Sequence, residues 1–150
     1  MASNSKQQGN NQKQTAKGLT ISRYYTREGV SPFDEFTYEL RSSIIRNPSG
    51  ETVFELNNVE VPQHWSQVAT DIMAQKYLRK TGVPQPDGST GHETSIKQVA
   101  HRMADCWRQW GQEHHYFASE QNAQIFYEEL VYMILGQHAA PNSPQWFNTG

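Results

Sequence analysis

The chain has 150 residues, enough for one ordinary domain with a modest hydrophobic core. Its 13 basic and 15 acidic residues give a formal net charge of -2, and no basic cluster indicates nucleic-acid binding. No apolar stretch has the length of a signal-peptide core or a membrane-spanning helix. We therefore expect a cytoplasmic protein with neither nucleic acid nor membrane as a partner.

Cysteine and histidine usage argues against a metal or disulfide framework. The single cysteine, Cys106, excludes an internal disulfide and a cysteine-based zinc site within this chain. It lies beside Trp107 on an apolar stripe, where packing is more typical than a reactive thiol. The histidines lack the spacing and neighbouring acids of a ligand set, so no metal site is predicted. They are His64, His92, His101, His114, His115 and His138.

The N-terminal stretch changes character near Leu19. Residues 1–18 are polar, with too few apolar side chains to offset the entropy of ordering, so a disordered tail is predicted. Folded structure is expected from Leu19 onward. Ser31 and Pro32, followed by acidic residues in the next turn, favour a short helix.

Residues 39–62 contain turn and strand signals. The segment 39–45 fits either a helix or a strand, because its periodicity does not separate the two. Residues 47–50, Asn-Pro-Ser-Gly, predict a turn. The segments 52–56 and 59–61 predict short strands, and Pro62 closes the run.

Apolar residues at three- and four-residue spacing predict a first main helix over 63–80. Gly82 supplies its C-terminal break. The Gly- and Pro-rich residues 82–91 predict an exposed, mobile loop.

A second helix is predicted over 95–110. Ser95 and Gln98 fit a capping box, in which each side chain satisfies a backbone amide of the other. Gly111 is expected to end this helix, because glycine tolerates the left-handed backbone of a C-terminal cap.

A third helix is predicted over 120–136, opened by Ser119. Trp65, Trp107 and Trp110 lie on the apolar stripes of the predicted helices. Such stripes are usually core, so a base-stacking platform is the less favoured interpretation.

The C-terminal stretch, residues 140–150, carries the most specific pattern. Pro141 and Pro144 flank Ser143, which predicts an extended or turned backbone and a free Ser143 hydroxyl. Trp146 and Phe147 are expected to bury on one side, and residues 148–150 predict a turn into an element beyond this chain. Neither a base nor a Gly-x-Ser-x-Gly turn is visible, so Ser143 is not predicted to act as a nucleophile. A hydroxyl and backbone amides held by the two prolines could contact an anion, but the residues alone favour a structural turn residue over an anion site.

This stretch resembles the Asn-Ser-Pro-x-Trp-Phe-Asn-x-Gly motif of adenosylcobalamin-dependent (class II) ribonucleotide reductases. The resemblance covers most of residues 19–150. It runs through Phe54-Glu55, Val59-Glu60-Val61-Pro62, Trp65-Ser66-Gln67, Ala69-Thr70, Lys76-Tyr77, Trp110-Gly111, Tyr116-Phe117 and Glu129-Leu130.

The resemblance implies a mainly α fold with short β segments. Residues 19–139 would form a helical N-terminal domain, and 140–150 a substrate-loop motif leading into a ten-stranded α/β barrel outside this chain. In that family the residue at the position of Ser143 contacts the substrate phosphate.

The resemblance also implies the chemistry of the full-length protein, an adenosylcobalamin-dependent ribonucleoside-diphosphate reductase, although diphosphate and triphosphate substrates stay open. A radical reaches a cysteine, the ribose 3′ hydrogen is abstracted, the 2′ hydroxyl leaves as water, and a cysteine pair supplies the reduction. These cysteines and the cobalamin site would lie beyond this chain, which alone would be inactive. A homodimer is possible for the full-length enzyme, and a stand-alone helical protein-interaction module is the alternative.

Overall fold

The computed structural model describes residues 17–85 and 87–150. The predicted disordered tail lies outside the described residues as far as position 16. Leu19 pairs with the backbone between two later helices: its N–H donates to the Tyr116 carbonyl at 2.7 Å, and its carbonyl accepts from Ala118 at 3.0 Å. The start of the described chain therefore lies against residues about a hundred positions away.

A long antiparallel hairpin forms the larger of two small sheets. Strand β1 (Tyr38–Arg46) pairs with strand β2 (Thr52–Pro62), so the ambiguous segment 39–45 is a strand. The predicted turn at residues 47–50 is confirmed and joins the two strands. The register shifts opposite Ser42, where Asn58 has φ 59°, so β2 contains a bulge. The bulge lies between the predicted segments 52–56 and 59–61, which form one strand and not two.

The prediction of a mainly α fold is wrong. Of the described residues, 38% are in helices and 20% in strands. They include two small antiparallel sheets, the second formed by β3 (Val83–Pro84) and β4 (Thr90–Gly91). The long hairpin supplies most of the strand residues. It forms because its β-branched and aromatic residues suit a half-buried pleated surface. The helix expected at Ser31 is also absent, since residues 32–35 form turns just before β1 begins.

The helix predicted over 63–80 is shorter and irregular. Helix α1 (Gln67–Ile72) begins after Ser66, whose hydroxyl accepts the Ala69 N–H at 3.1 Å, and continues into a π-helical turn (Met73–Tyr77). The wider π turn rotates the following side chains relative to the α-helical spacing. Val68 and Ile72 lie on α1 before this turn and are 66% and 47% exposed, so part of the apolar spacing that predicted the helix faces solvent.

Helix α2 (Ile96–Glu113) has the predicted capping box between Ser95 and Gln98. Its predicted end at Gly111 is wrong, because Gly111 lies inside the helix and the Phe117 ring occupies the space of a β carbon there. The helix ends at Glu113, and His115 takes the left-handed position with φ 55°.

Helix α3 (Glu120–Leu135) is confirmed, with Ser119 as its N-cap and Gly136 as its C-cap. The short helix α4 (Ser143–Asn148) completes the fold. None of the helices among residues 17–85 and 87–150 combines the length and apolarity needed to cross a membrane.

The core lies between the hairpin, the α1 and π-helical segment, α2, α3 and α4. Its buried members are Val59, Val61, Trp65, Met73, Ala74, Leu78, Ile96, Val99, Ala100, Met103, Ala104, Val131, Ile134, Leu135 and Trp146. Trp65 is a core residue, as predicted, and its indole N–H donates to the Leu135 carbonyl at 2.8 Å. Trp107 is half-buried against the core, whereas the prediction for Trp110 is wrong because it is 51% exposed.

The buried carboxylate of Glu129 anchors the N-terminal segment to α3. It accepts the backbone N–H groups of Tyr24, Tyr25 and Thr26, and the Thr26 hydroxyl at 2.6 Å. Burial by itself would raise the pKa of Glu129, but the hydrogen bonds from Thr26, Tyr25 and Tyr24 together outweigh it and lower the pKa. Glu129 is therefore held as a carboxylate.

Candidate functional site

Ser143 is the first residue of α4, so the prediction of an extended or turned, non-helical backbone at this position is wrong. Asn142 caps this helix, with its side-chain oxygen accepting the Ser143 N–H at 2.8 Å. Pro144 fits the first turn because backbone N–H groups there have no intrahelical partner to lose. Ser143 is nevertheless exposed, so its hydroxyl is accessible from solvent.

The Ser143 hydroxyl lies 3.0 Å from the phenol oxygen of Tyr77, the last residue of the π-helical turn. The Tyr77 ring stacks on Trp146 with centroids 5.3 Å apart and an interplanar angle of 24°. Trp146 is 8% exposed, and its indole N–H donates to the Pro141 carbonyl at 2.8 Å. This hydrogen bond joins two residues of the motif. Phe147, expected to bury with it, is 48% exposed.

An apolar cavity of about 310 Å³ opens beside this motif. Its lining comes from α1, the π-helical turn, the end of α3 and the start of the motif. The lining residues are Trp65, Ala69, Ile72, Met73, Tyr77, Ile134, Gln137, Ala139, Ala140, Pro141 and Trp146. Tyr77 and Trp146 both line this cavity, and the Tyr77 phenol also contacts the Ser143 hydroxyl.

A buried ion pair stabilises the C-terminal end of α4. The Arg102 guanidinium on α2 meets the Glu93 carboxylate at 2.7 Å, and the two side chains are 10% and 3% exposed. Arg102 also donates to the carbonyls of Trp146 and Thr149, at 2.7 and 2.8 Å. Neither charged residue was singled out from the sequence, because the pair joins segments with no local pattern in common. The available signal was a charged residue beside the apolar stripe of α2.

The glycine that ends the motif lies against the backbone of Arg102. Gly150 has φ +88°, and a β carbon there would lie 2.6 Å from the Arg102 carbonyl oxygen. Only glycine tolerates both this backbone conformation and this close approach.

The sequence predicts no metal site for the histidines or for Cys106. Within residues 17–85 and 87–150, no group of three or more His, Cys, Asp or Glu side chains could hold a metal ion. Cys106 is half-buried on α2.

Comparison with known proteins identifies the family of this chain. The family model for the class II vitamin B12-dependent ribonucleotide reductase matches residues 39–137, about two thirds of the chain. The chain belongs to this family. The matched range ends before Ser143, so the placement of the motif rests on the residues themselves.

The chain is also similar to individual vitamin B12-dependent ribonucleotide reductases. It is 44% identical to that of Bradyrhizobium diazoefficiens and 39% identical to that of Agrobacterium fabrum, in each case over 88% of the chain and 13% of the relative. It is 42% identical to that of Streptomyces clavuligerus over 89% of the chain and 14% of the relative. The chain thus spans about one seventh of the length of these relatives.

Proposed function

We propose that this chain is the N-terminal part of an adenosylcobalamin-dependent ribonucleotide reductase, which reduces ribonucleotides to 2′-deoxyribonucleotides in the cytoplasm for DNA synthesis. The family match over residues 39–137 carries this proposal. Within it, residues 19–139 serve as the N-terminal domain and 140–150 as the substrate-loop motif. The stand-alone interaction module is not favoured by relatives that all bear the name of the reductase.

The role proposed for Ser143 is a hydrogen bond from its hydroxyl to a phosphate oxygen of the ribonucleotide. The hydroxyl is exposed, and α4 is fixed from both ends by Asn142 and Arg102. Its side-chain partner among the described residues is the Tyr77 phenol, rather than a histidine or carboxylate that could act as a general base. This arrangement suits binding of an anion and not nucleophilic attack.

The apolar cavity beside the motif does not fit the corrinoid cofactor. The cavity beside Ser143, of about 310 Å³, is at the small end for a drug-sized ligand, and a corrinoid is much larger. The chain also has only one cysteine, so it cannot supply both a radical-bearing thiol and a redox-active pair. Cobalamin and the reacting cysteines are therefore assigned to the remainder of the full-length protein, which we propose forms a homodimer. This chain contributes to substrate positioning.

The test compares the 150-residue chain with the protein encoded by the complete reading frame. We expect the longer protein to contain a cysteine-bearing barrel and to reduce ribonucleotides only with adenosylcobalamin, and the 150-residue chain to be inactive. Diphosphate and triphosphate substrates should both be assayed, since the motif does not separate them. Turnover by the 150-residue chain, or cobalamin-independent turnover by the longer protein, would contradict the proposal.

A further inference from the structure

One buried guanidinium holds together the two elements that carry the hydroxyls of the candidate site. Arg102 donates to the carbonyls of Trp146 and Thr149 in the motif. It also donates to the Tyr77 carbonyl, at 3.0 Å, at the end of the π-helical turn. Since Tyr77 and Ser143 lie on these two elements, Arg102 fixes the separation of the segments that bring their hydroxyls to 3.0 Å.

Arginine is suited to this task in a way that lysine is not. Its planar guanidinium presents several N–H donors in a fixed arrangement, whereas an ammonium is a compact charge on a flexible stem. Arg102 uses these donors on three carbonyls and one carboxylate at once. A lysine at this position would keep the positive charge but could not satisfy the same acceptors with the same geometry.

Glu93 fixes the orientation of the guanidinium. Its carboxylate accepts Arg102 Nε–H at 2.7 Å and the backbone N–H of Arg79 at 2.9 Å, and its side chain is 3% exposed. Because the backbone of Arg79 follows the π-helical turn closely, Glu93 ties Arg102 to that turn a second time. The buried charge of each partner also depends on the other, since an unpaired buried ion is strongly destabilising.

We propose that Arg102, oriented by Glu93, is a positioning residue that sets the place of the Ser143 hydroxyl for the substrate phosphate. Arg102 touches no substrate and acts through α4 and Tyr77. The inference rests on the proposed role of Ser143, and it names the residues that make that role possible.

The test uses the full-length reductase with the substitution Arg102→Lys. Because a displaced Ser143 hydroxyl would lose a hydrogen bond to a charged group, typically worth about 1.5–3 kcal/mol, the dissociation constant of the ribonucleotide should rise about tenfold and at most about a hundredfold. Adenosylcobalamin affinity should stay unchanged. In a Ser143→Ala background, Arg102→Lys should weaken substrate binding much less, because both changes remove the same contact. Full additivity of the two losses would overturn the inference.

Arg41 provides a matched control. Its side chain is 14% exposed, and its guanidinium donates to the carbonyls of Trp65 and Gln63 and to the Thr70 hydroxyl, acceptors that belong neither to the motif nor to the π-helical turn. Arg41→Lys should lower the melting temperature comparably but leave substrate affinity unchanged. If Arg41→Lys weakened substrate binding as much as Arg102→Lys, a general loss of stability would explain both, and the inference would be wrong.

A second measurement separates the positioning role from the role of Ser143 itself. Amide hydrogen exchange of residues 140–150 should accelerate in Arg102→Lys and stay unchanged in Ser143→Ala and Arg41→Lys. If Ser143→Ala leaves substrate affinity unchanged, the proposed function of Ser143 fails, and exchange alone then judges the positioning. Unaltered exchange in Arg102→Lys overturns it.

A paired substitution covers the case in which Arg102→Lys does not fold. Arg102→Met combined with Glu93→Gln removes both charges, so no unpaired ion is left buried. The same loss of substrate affinity and faster exchange of residues 140–150 are expected. A folded paired variant with wild-type substrate affinity would contradict the inference.

Discussion

The phenol of Tyr77 and the hydroxyl of Ser143 lie 3.0 Å apart, although 66 positions separate the two residues in the chain. The π-helical turn presents the first and the capped start of α4 presents the second. The Tyr77 ring stacks on Trp146, and this contact packs the π-helical turn against α4. Tyr77 is thus the immediate neighbour of the residue proposed to bind phosphate.

Tyr77→Phe in the full-length enzyme should weaken substrate affinity by about two- to tenfold. The substitution keeps the stacked ring and removes only one neutral hydrogen bond, typically worth about 0.5–1.5 kcal/mol. Equilibrium binding of the ribonucleotide measures the change. Tyr127→Phe is the matched control, because it removes the partner of His101 at 2.8 Å on other elements, and substrate affinity should not respond. Equal effects of both substitutions would argue against a specific role for Tyr77.

Glu129→Gln should destabilise the 150-residue chain at neutral pH by about 1.5–3 kcal/mol, because a charged acceptor of several hydrogen bonds is lost. The pKa of Glu129 is lowered in the folded state, so its stabilisation is complete above its ordinary pKa of 4.5 and disappears as the pH falls through the lower folded value. Urea unfolding at several pH values should therefore show the two proteins converging in acid.

Glu28→Gln serves as the control for this experiment, because Glu28 is exposed. It should change the free energy of unfolding by less than about 0.5 kcal/mol. A destabilisation by Glu129→Gln that stayed constant down to pH 2 would mean that the carboxylate charge is not what anchors the N-terminal segment.

Gly111→Ala should destabilise the chain by about 1–3 kcal/mol, even though alanine is the better helix former by about 1 kcal/mol. A β carbon at this position would lie 2.8 Å from Phe117 Cζ. Thermal or urea unfolding measures the effect. Combining Gly111→Ala with Phe117→Leu should cost less than the sum of the two single changes. An increase in stability from Gly111→Ala alone would show that the Phe117 ring can move aside freely.

The sequence predicts best those elements whose ends are set by local chemistry. The capping box of Ser95 and Gln98, and the Ser119 and Gly136 caps of α3, each involve groups a few residues apart. Their hydrogen bonds depend little on the rest of the fold, so their residue types alone are informative.

Other elements depend on packing that the sequence does not display. The π-helical turn interrupts a regular apolar spacing, and Gly111 lies inside α2, where the Phe117 ring packs against it. Pro144 illustrates a different failure: proline excludes a helix interior but fits a first turn, and the choice between them depends on the Asn142 cap. The Arg102 contacts join residues up to 47 positions apart, beyond the reach of any spacing rule.

The most direct test of the proposed function is the affinity of the full-length enzyme for its ribonucleotide after Ser143→Ala. A hydrogen bond to a charged group is typically worth about 1.5–3 kcal/mol, so the dissociation constant should rise about ten- to a hundredfold. Ser143→Thr should largely preserve binding, and adenosylcobalamin affinity should not change. Unaltered substrate affinity and turnover in Ser143→Ala, or weakened cobalamin binding instead, would contradict the role assigned to Ser143.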